Sequence, residues 1–154
     1  MSVVAAIRPD EVNFPLLLHV LGAMLLVGTL FTVAIAIVGG WRRSDDGDAA
    51  SLTRFGLLTL LIGVVPSYIL MRIGAQWTES EGLPDDFEAA WLDIGYIVAD
   101  IGALLLLICV VLTAFGLRRL RSGGTGLARA VGVISVLLLA AYIVAVWAMT
   151  AKPD

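Results

Sequence analysis

Four long apolar runs, separated by short polar stretches, dominate the chain. The first runs from about Phe14 to Gly40, and His19 is its only ionisable residue. The polar stretch WRRSDDGDAASLT ends it at Trp41 to Thr53. The second runs from about Arg54 to Ala75 and contains Pro66 and Arg72. The third, from about Trp91 to Leu117, carries Asp93 and Asp100. The fourth runs from about Ala128 to Met149, with Arg129 at its start. Each reaches the roughly 20 residues that a helix needs to cross the hydrocarbon core of a bilayer. None alternates with period two, and all are too long for barrel strands. Backbone groups in lipid must be satisfied within their own segment, so each run is predicted to be a helix. The pattern predicts one all-α domain over residues 1–154, an integral membrane antiparallel four-helix bundle with spans of about 14–40, 54–75, 91–117 and 128–149.

Composition agrees with that solvent. The chain is 60% hydrophobic and 15% charged, against roughly 45–50% and 25% for soluble domains. These values exclude disorder and an ordinary soluble enzyme. The single cysteine, Cys109, excludes a disulfide within the chain and the paired spacings of zinc or c-type haem sites. No phosphate-binding or dinucleotide-binding glycine motif occurs. No basic patch is interleaved with aromatics, so the predicted partner is the lipid bilayer and not nucleic acid. The opening MSVVAAIRPDEVNFP lacks the basic leader of a signal peptide, so the first span is expected to be retained.

The net charge of -3 hides a segregation. Arg42, Arg43 and Arg54 flank the first polar stretch, and Arg118, Arg119, Arg121 and Arg129 flank the third. The second stretch, Gln76 to Ala90, has no Lys or Arg and carries Glu79, Glu81, Asp85, Asp86 and Glu88. The positive-inside rule places the basic stretches in the cytoplasm. Both termini and the acidic loop are then expected outside, in a multi-pass protein of the cell membrane. Trp41 is expected at the inner boundary, and Trp77, Trp91 and Trp147 at the outer one.

The polar residues inside the spans fall in the outer half by this topology. Asp93, Tyr96 and Asp100 have i, i+3, i+7 spacing and share one helical face. Tyr68 lies one turn deeper than Arg72 on the second span, and Tyr142 lies at a similar depth on the fourth. An Asp or Arg near the bilayer centre costs about 2.5–3.5 kcal/mol on insertion scales. Pairing within the bundle would offset that cost, so an Arg72–Asp100 pair is predicted, with His19 and the tyrosines nearby. Each residue also has a structural reading. Arg72 could snorkel, Asp93 could sit at a helix N-terminus, and His19 could serve as an interhelical hydrogen bond. The inner half is expected to be apolar. Pro66 is expected to break the ladder at Ile62. Gly28, Thr32 and Ala36, and Gly95, Ala99 and Ala103, form stripes read as packing surfaces.

The run Leu18-His19-Val20-Leu21-Gly22, followed by Leu26-Val27-Gly28, resembles the LHxxG…G opening of small bacterial four-helix membrane proteins. These are the group related to the CopD copper-resistance domain and the HemJ-type protoporphyrinogen oxidases. The resemblance implies a four-helix bundle with a histidine near one end of helix one. In HemJ-type relatives that histidine is associated with haem, which makes His19 a candidate ligand for the iron of haem b. The chain has no second histidine, so a bis-histidine haem within one chain is excluded. It also lacks the later lysine of the oxidases.

Two function classes follow. The first is a polar site for a small hydrophobic ligand, haem or quinone, formed by His19, Tyr68, Arg72, Asp93, Tyr96, Asp100 and Tyr142. The second is a non-enzymatic accessory or scaffold subunit that meets a membrane protein partner or a second copy of itself. No catalytic pair is recognisable. A proton path through Asp100 would need a relay that an apolar inner half does not supply.

Overall fold

A computed structural model describes residues 10–41, 46–82, 89–120 and 126–151. Arg42, Arg43, Asp85, Asp86, Glu88 and Arg121 lie outside the described residues. The described chain is helical: α1 (Asp10–Trp41), α2 (Asp46–Thr59), a π-helical turn (Leu60–Val64), α3 (Val65–Gly82), α4 (Ala90–Leu120) and α5 (Gly126–Ala151). The segment from α2 to α3 runs on without a break, so four helical rods are long and apolar enough to cross a membrane. Each rod extends past the predicted apolar run. The second gains most, because the polar residues Asp46 to Thr53 and Gln76 to Gly82 continue its helix at both ends.

Close contacts at glycines fix the antiparallel order. A Cβ on Gly22 would fall on the Met71 backbone, and one on Gly74 would fall on the backbone of His19. Gly40 faces Ala49 and Leu52, while Gly82 faces Val12. The pair α1 and α2–α3 thus closes backbone against backbone along its length. The pair α4 and α5 closes with a strict heptad. Gly95, Ala99, Gly102, Leu106, Cys109, Thr113 and Gly116 are the buried positions of α4, at alternating spacings of four and three. Gly95 meets Met149, Gly102 meets Tyr142, and Gly116 meets Leu127 and Ala128. Each step of seven on α4 meets a step of seven back on α5, the signature of a left-handed supercoiled pair. The two hairpins join where Trp41 of α1 lies on Gly132 of α5, and where α2 packs on α4.

Large apolar side chains lie on both the inside and the outside of the bundle: Leu26, Leu30, Ile37 and Leu60 are fully buried in its core. Buried polar positions include Thr53, Ser67, Thr113 and Ser135, whereas Met24 (68% exposed), Ile62 (74%) and Leu107 (62%) point outward. Small residues at the helix contacts, with large apolar residues outward as well as in the core, suit helices that pack in lipid. Thr29, Thr32, Thr53, Thr59, Thr78, Thr113 and Thr150 each donate to the carbonyl four residues earlier. Their hydroxyls therefore need no partner from solvent.

Pro66 does more than break a ladder. The π-helical turn ends immediately before it, with Val65 N–H donating to the carbonyl of Leu60. Such a turn accommodates one extra residue. That rotates everything after it by about 100° relative to an unbroken helix. α1 packs close to the turn, since a Cβ on Gly63 would sit 2.9 Å from Thr29 Cγ2. The insertion thus helps set which face of α3 carries Tyr68 and Arg72.

Trp41, at the end of α1, lies on Gly132 with its indole Nε1 buried. Two expectations change. The half of the bundle near Trp41 holds polar side chains in its interior, because Thr113 and Ser135 are buried there. Gly28 and Thr32 face outward, and nothing lies within 4 Å of a Cβ on Gly28.

Candidate functional site

The fourth seam of the bundle, between α3 and α4, differs from the other three. It is bridged by long polar side chains in place of backbone contact. Arg72 Nη2 lies 2.9 Å from Asp100 Oδ1. The predicted pair therefore forms, and depth explains it. Arg72 stands ten residues before the end of α3 and Asp100 ten after the start of α4, each about 15 Å along its helix. The Arg72 guanidinium also stacks over the Tyr96 ring, 4.7 Å from its centroid. Tyr96 donates its hydroxyl proton to the Glu79 carboxylate, back across the seam to α3. One turn deeper, the Tyr68 hydroxyl donates to the Ala99 carbonyl at 3.2 Å. Glu79, Tyr96, Arg72, Asp100 and Tyr68 thus form a polar ladder that descends from the acidic end of the bundle toward its middle.

The ladder is open on one side. Arg72 is 23% exposed, but Asp100 is 65% exposed. Exposed isoleucines adjoin it on both helices, Ile69 and Ile73 on α3 and Ile97 and Ile101 on α4. A charged pair at mid-depth, bordered by apolar side chains, can accept an amphiphile from the side.

The remaining candidates divide. His19 is on the other face of α3, at the α1 seam, where Nδ1 donates to the Met71 carbonyl at 3.1 Å. Accepting this role fixes the neutral ring as the Nδ1–H tautomer and leaves the Nε2 lone pair free of that bond. Gly22 closes on the same Met71, so the LHxxG run is the element that docks α1 on α3. Because the two backbones touch at His19 and Gly74, no porphyrin plane fits between them at that level. Tyr142 is buried in the core against Gly102, and its hydroxyl has no partner among the described residues. Asp93 is exposed in the first turn of α4, outside the ladder. The seven candidates therefore do not converge on one site. Four of them, Tyr68, Arg72, Tyr96 and Asp100, do.

Glu79 belongs to the ladder and was not among the sequence candidates. It lies in a stretch rich in acids and a glycine that reads as a loop. The available signal was its spacing from Arg72, seven residues on and so on the same helical face. Among the described residues, no three His, Cys, Asp or Glu side chains gather to hold a metal ion. Comparison with protein-family models, with curated proteins and with solved structures finds no match to this chain.

Proposed function

We propose that the chain is an integral membrane protein whose α3–α4 seam binds a small amphiphilic ligand in the outer half of the bilayer. The observation that carries the reading is the half-open ion pair, with Asp100 65% exposed among apolar neighbours. An ion pair kept only to tie two helices together is best sealed from its surroundings, because each unsatisfied charge is costly at that depth. Here the acceptor is left available. The orientation follows from charge: Arg54, Arg118, Arg119 and Arg129 cluster at one end of the rods, and Glu79, Glu81 and Asp93 at the other. By the positive-inside rule the basic end is cytoplasmic and the ladder opens outward.

The free Nε2 of His19 supports an additional haem reading in line with the resemblance of helix one. The touching α1 and α3 backbones would keep any macrocycle on the outside of that seam, apart from the ladder. An absorption spectrum of the gently purified protein decides it, since a haem on His19 gives a Soret band that His19→Ala removes. The subunit reading draws on a different feature, the outward Gly28 and Thr32 of α1, which would let another helix approach closely.

The test of the ligand reading is organic extraction of the protein purified in mild detergent, followed by mass spectrometry. A discrete small amphiphile, present at near-stoichiometric amounts and depleted by Arg72→Ala, supports the reading. Extraction of bulk phospholipid alone, equal in both proteins, contradicts it.

A further inference from the structure

Behind the α3–α4 ladder lies a second polar feature, in the core. Tyr142 projects inward from α5, is 4% exposed, and its hydroxyl has no partner among the described residues. It ends on Gly102 of α4, where a Cβ would overlap the hydroxyl. Tyr68 reaches the same turn of α4 from α3 and donates to the Ala99 carbonyl at 3.2 Å. Two phenol hydroxyls, from two helices, thus end on one turn of a third. A buried tyrosine hydroxyl normally has a partner, and in lipid no solvent stands in for one. The rigid ring holds the hydroxyl well beyond the backbone of α5, so its own helix does not supply the acceptor. Ser135 is also buried without a partner, but its hydroxyl turns on one bond and the carbonyl four residues earlier is within reach. Trp41 Nε1, the third such group, lies at the basic end of the bundle, far from the ladder.

The chemistry of the Ala99–Gly102 turn limits what can complete it. Tyr142 offers a proton, so the incoming group must carry an acceptor oxygen. A carbonyl fits best, because a hydroxyl or a water brings further protons that need acceptors of their own. The group must also be neutral. Arg72 is committed to Asp100 and the Tyr96 ring, and Asp100 lies roughly 200° around α4 from Gly102. Among the described residues no charged side chain is buried in the core, and an unbalanced charge at this depth is costly. The way in is the α3–α4 seam, which side chains bridge, whereas α1 and α3 close backbone on backbone beside it. Its lips are the exposed Ile69, Ile73, Ile97 and Ile101, which suit an apolar tail.

We infer that Tyr142 donates to the carbonyl oxygen of a neutral amphiphile, whose head lies on the Ala99–Gly102 turn of α4 and whose tail leaves through the α3–α4 seam. This deepens the ligand-binding reading above and rests on it. Arg72 ties the mouth of that seam, so its loss releases the ligand in both.

Equilibrium dialysis of the full chain in mild detergent tests this with three probes: decylubiquinone and monoolein, which are neutral and carry a carbonyl, and oleate, which is anionic. Saturable binding of a neutral probe is expected, weakened about fivefold by Tyr142→Phe and left unchanged by Ser135→Ala. The two neutral probes separate a ring ketone from a lipid ester as the source of the carbonyl. On the wild type, the carbonyl stretch of the bound probe should move to lower frequency in isotope-edited infrared spectra, and Tyr142→Phe should abolish that shift. Without probe, Tyr142→Phe should melt at or above the wild type, because it removes an unpaired buried group. A lower melting temperature with probe binding unchanged would mean that Tyr142 holds a water or an internal partner, and would overturn the inference. Saturable binding of oleate alone would overturn it too, as would neutral-probe binding that Arg72→Ala abolishes but Tyr142→Phe leaves intact; in both cases the ligand-binding reading survives. Absence of saturable binding by all three would count against both.

Discussion

Arg72 and Asp100 form one ion pair but are unequally invested in it. Arg72 is largely covered and has two partners, the Asp100 carboxylate and the Tyr96 ring. Asp100 is mostly exposed and has one. Removing Arg72 also leaves Glu79 and Asp100 facing a seam with no other cation among the described residues. Arg72→Ala should therefore destabilise the protein by about 1–3 kcal/mol, and Asp100→Asn by about 0–1 kcal/mol. Thermal unfolding in detergent measures both, and equal losses would show that Asp100 is better coupled than its exposure suggests. At this scale much of the ladder was legible in the sequence. The i, i+3, i+7 spacing put Tyr96 and Asp100 on one face, and matching depth paired Asp100 with Arg72. Glu79 was missed because acids and glycine near a helix end resemble a loop, and helix boundaries depend on tertiary support. The location of His19 was not legible either. Depth alone does not say which face of α3 a residue on α1 will meet.

At the scale of elements, two kinds of seam hold the bundle. The α1–α3 and α4–α5 seams are lined by glycine, so their tolerance to a methyl group depends on what that methyl would strike. At Gly22 and Gly74 it strikes backbone, which cannot yield. At Gly102 it strikes the buried Tyr142 ring, and at Gly95 only the flexible tip of Met149. At Gly28 it meets open space. The expected order of melting temperature is Gly28→Ala at or above wild type, then Gly95→Ala, then Gly102→Ala, with Gly22→Ala and Gly74→Ala lowest. The overpacked sites should lose about 1–3 kcal/mol or more. A Gly28→Ala variant as unstable as Gly22→Ala would contradict this assignment of seams. The four helices were legible because long apolar runs admit one secondary structure in lipid. The choice of packing glycines was less so. Gly28 and Gly22 lie in the same apolar run, and a uniformly hydrophobic helix has no amphipathic stripe to mark its inward face. The heptad of α4 was present as Gly95, Gly102, Cys109 and Gly116, but its mixed residue types hid it. The π-helical turn was legible only in part, as a disturbance at Pro66.

The whole molecule is two tight hairpins, α1 with α2–α3 and α4 with α5. Among the described residues, they are joined by packing near the basic end and by polar bridges along the outer part of the α3–α4 seam. A seam bridged by side chains can part where one of packed backbones cannot, which is why the proposed ligand reading is placed at this seam. The topology drawn from charge is tested by single cysteines in a Cys109→Ser background. A membrane-impermeant maleimide applied to intact cells should label a cysteine at Glu81 and spare one at Arg119, and the reverse pattern would invert the assignment. The claim that the α3–α4 seam is a ligand site is tested most directly by photo-crosslinking in native membranes. A benzophenone amino acid would replace Ile97, beside Tyr96, or Phe31 on the outward face of α1 as a control. A discrete small-molecule adduct at residue 97, absent at residue 31, is the predicted result. The same mixture of bulk lipid at both positions, or a protein adduct at residue 97, would contradict it.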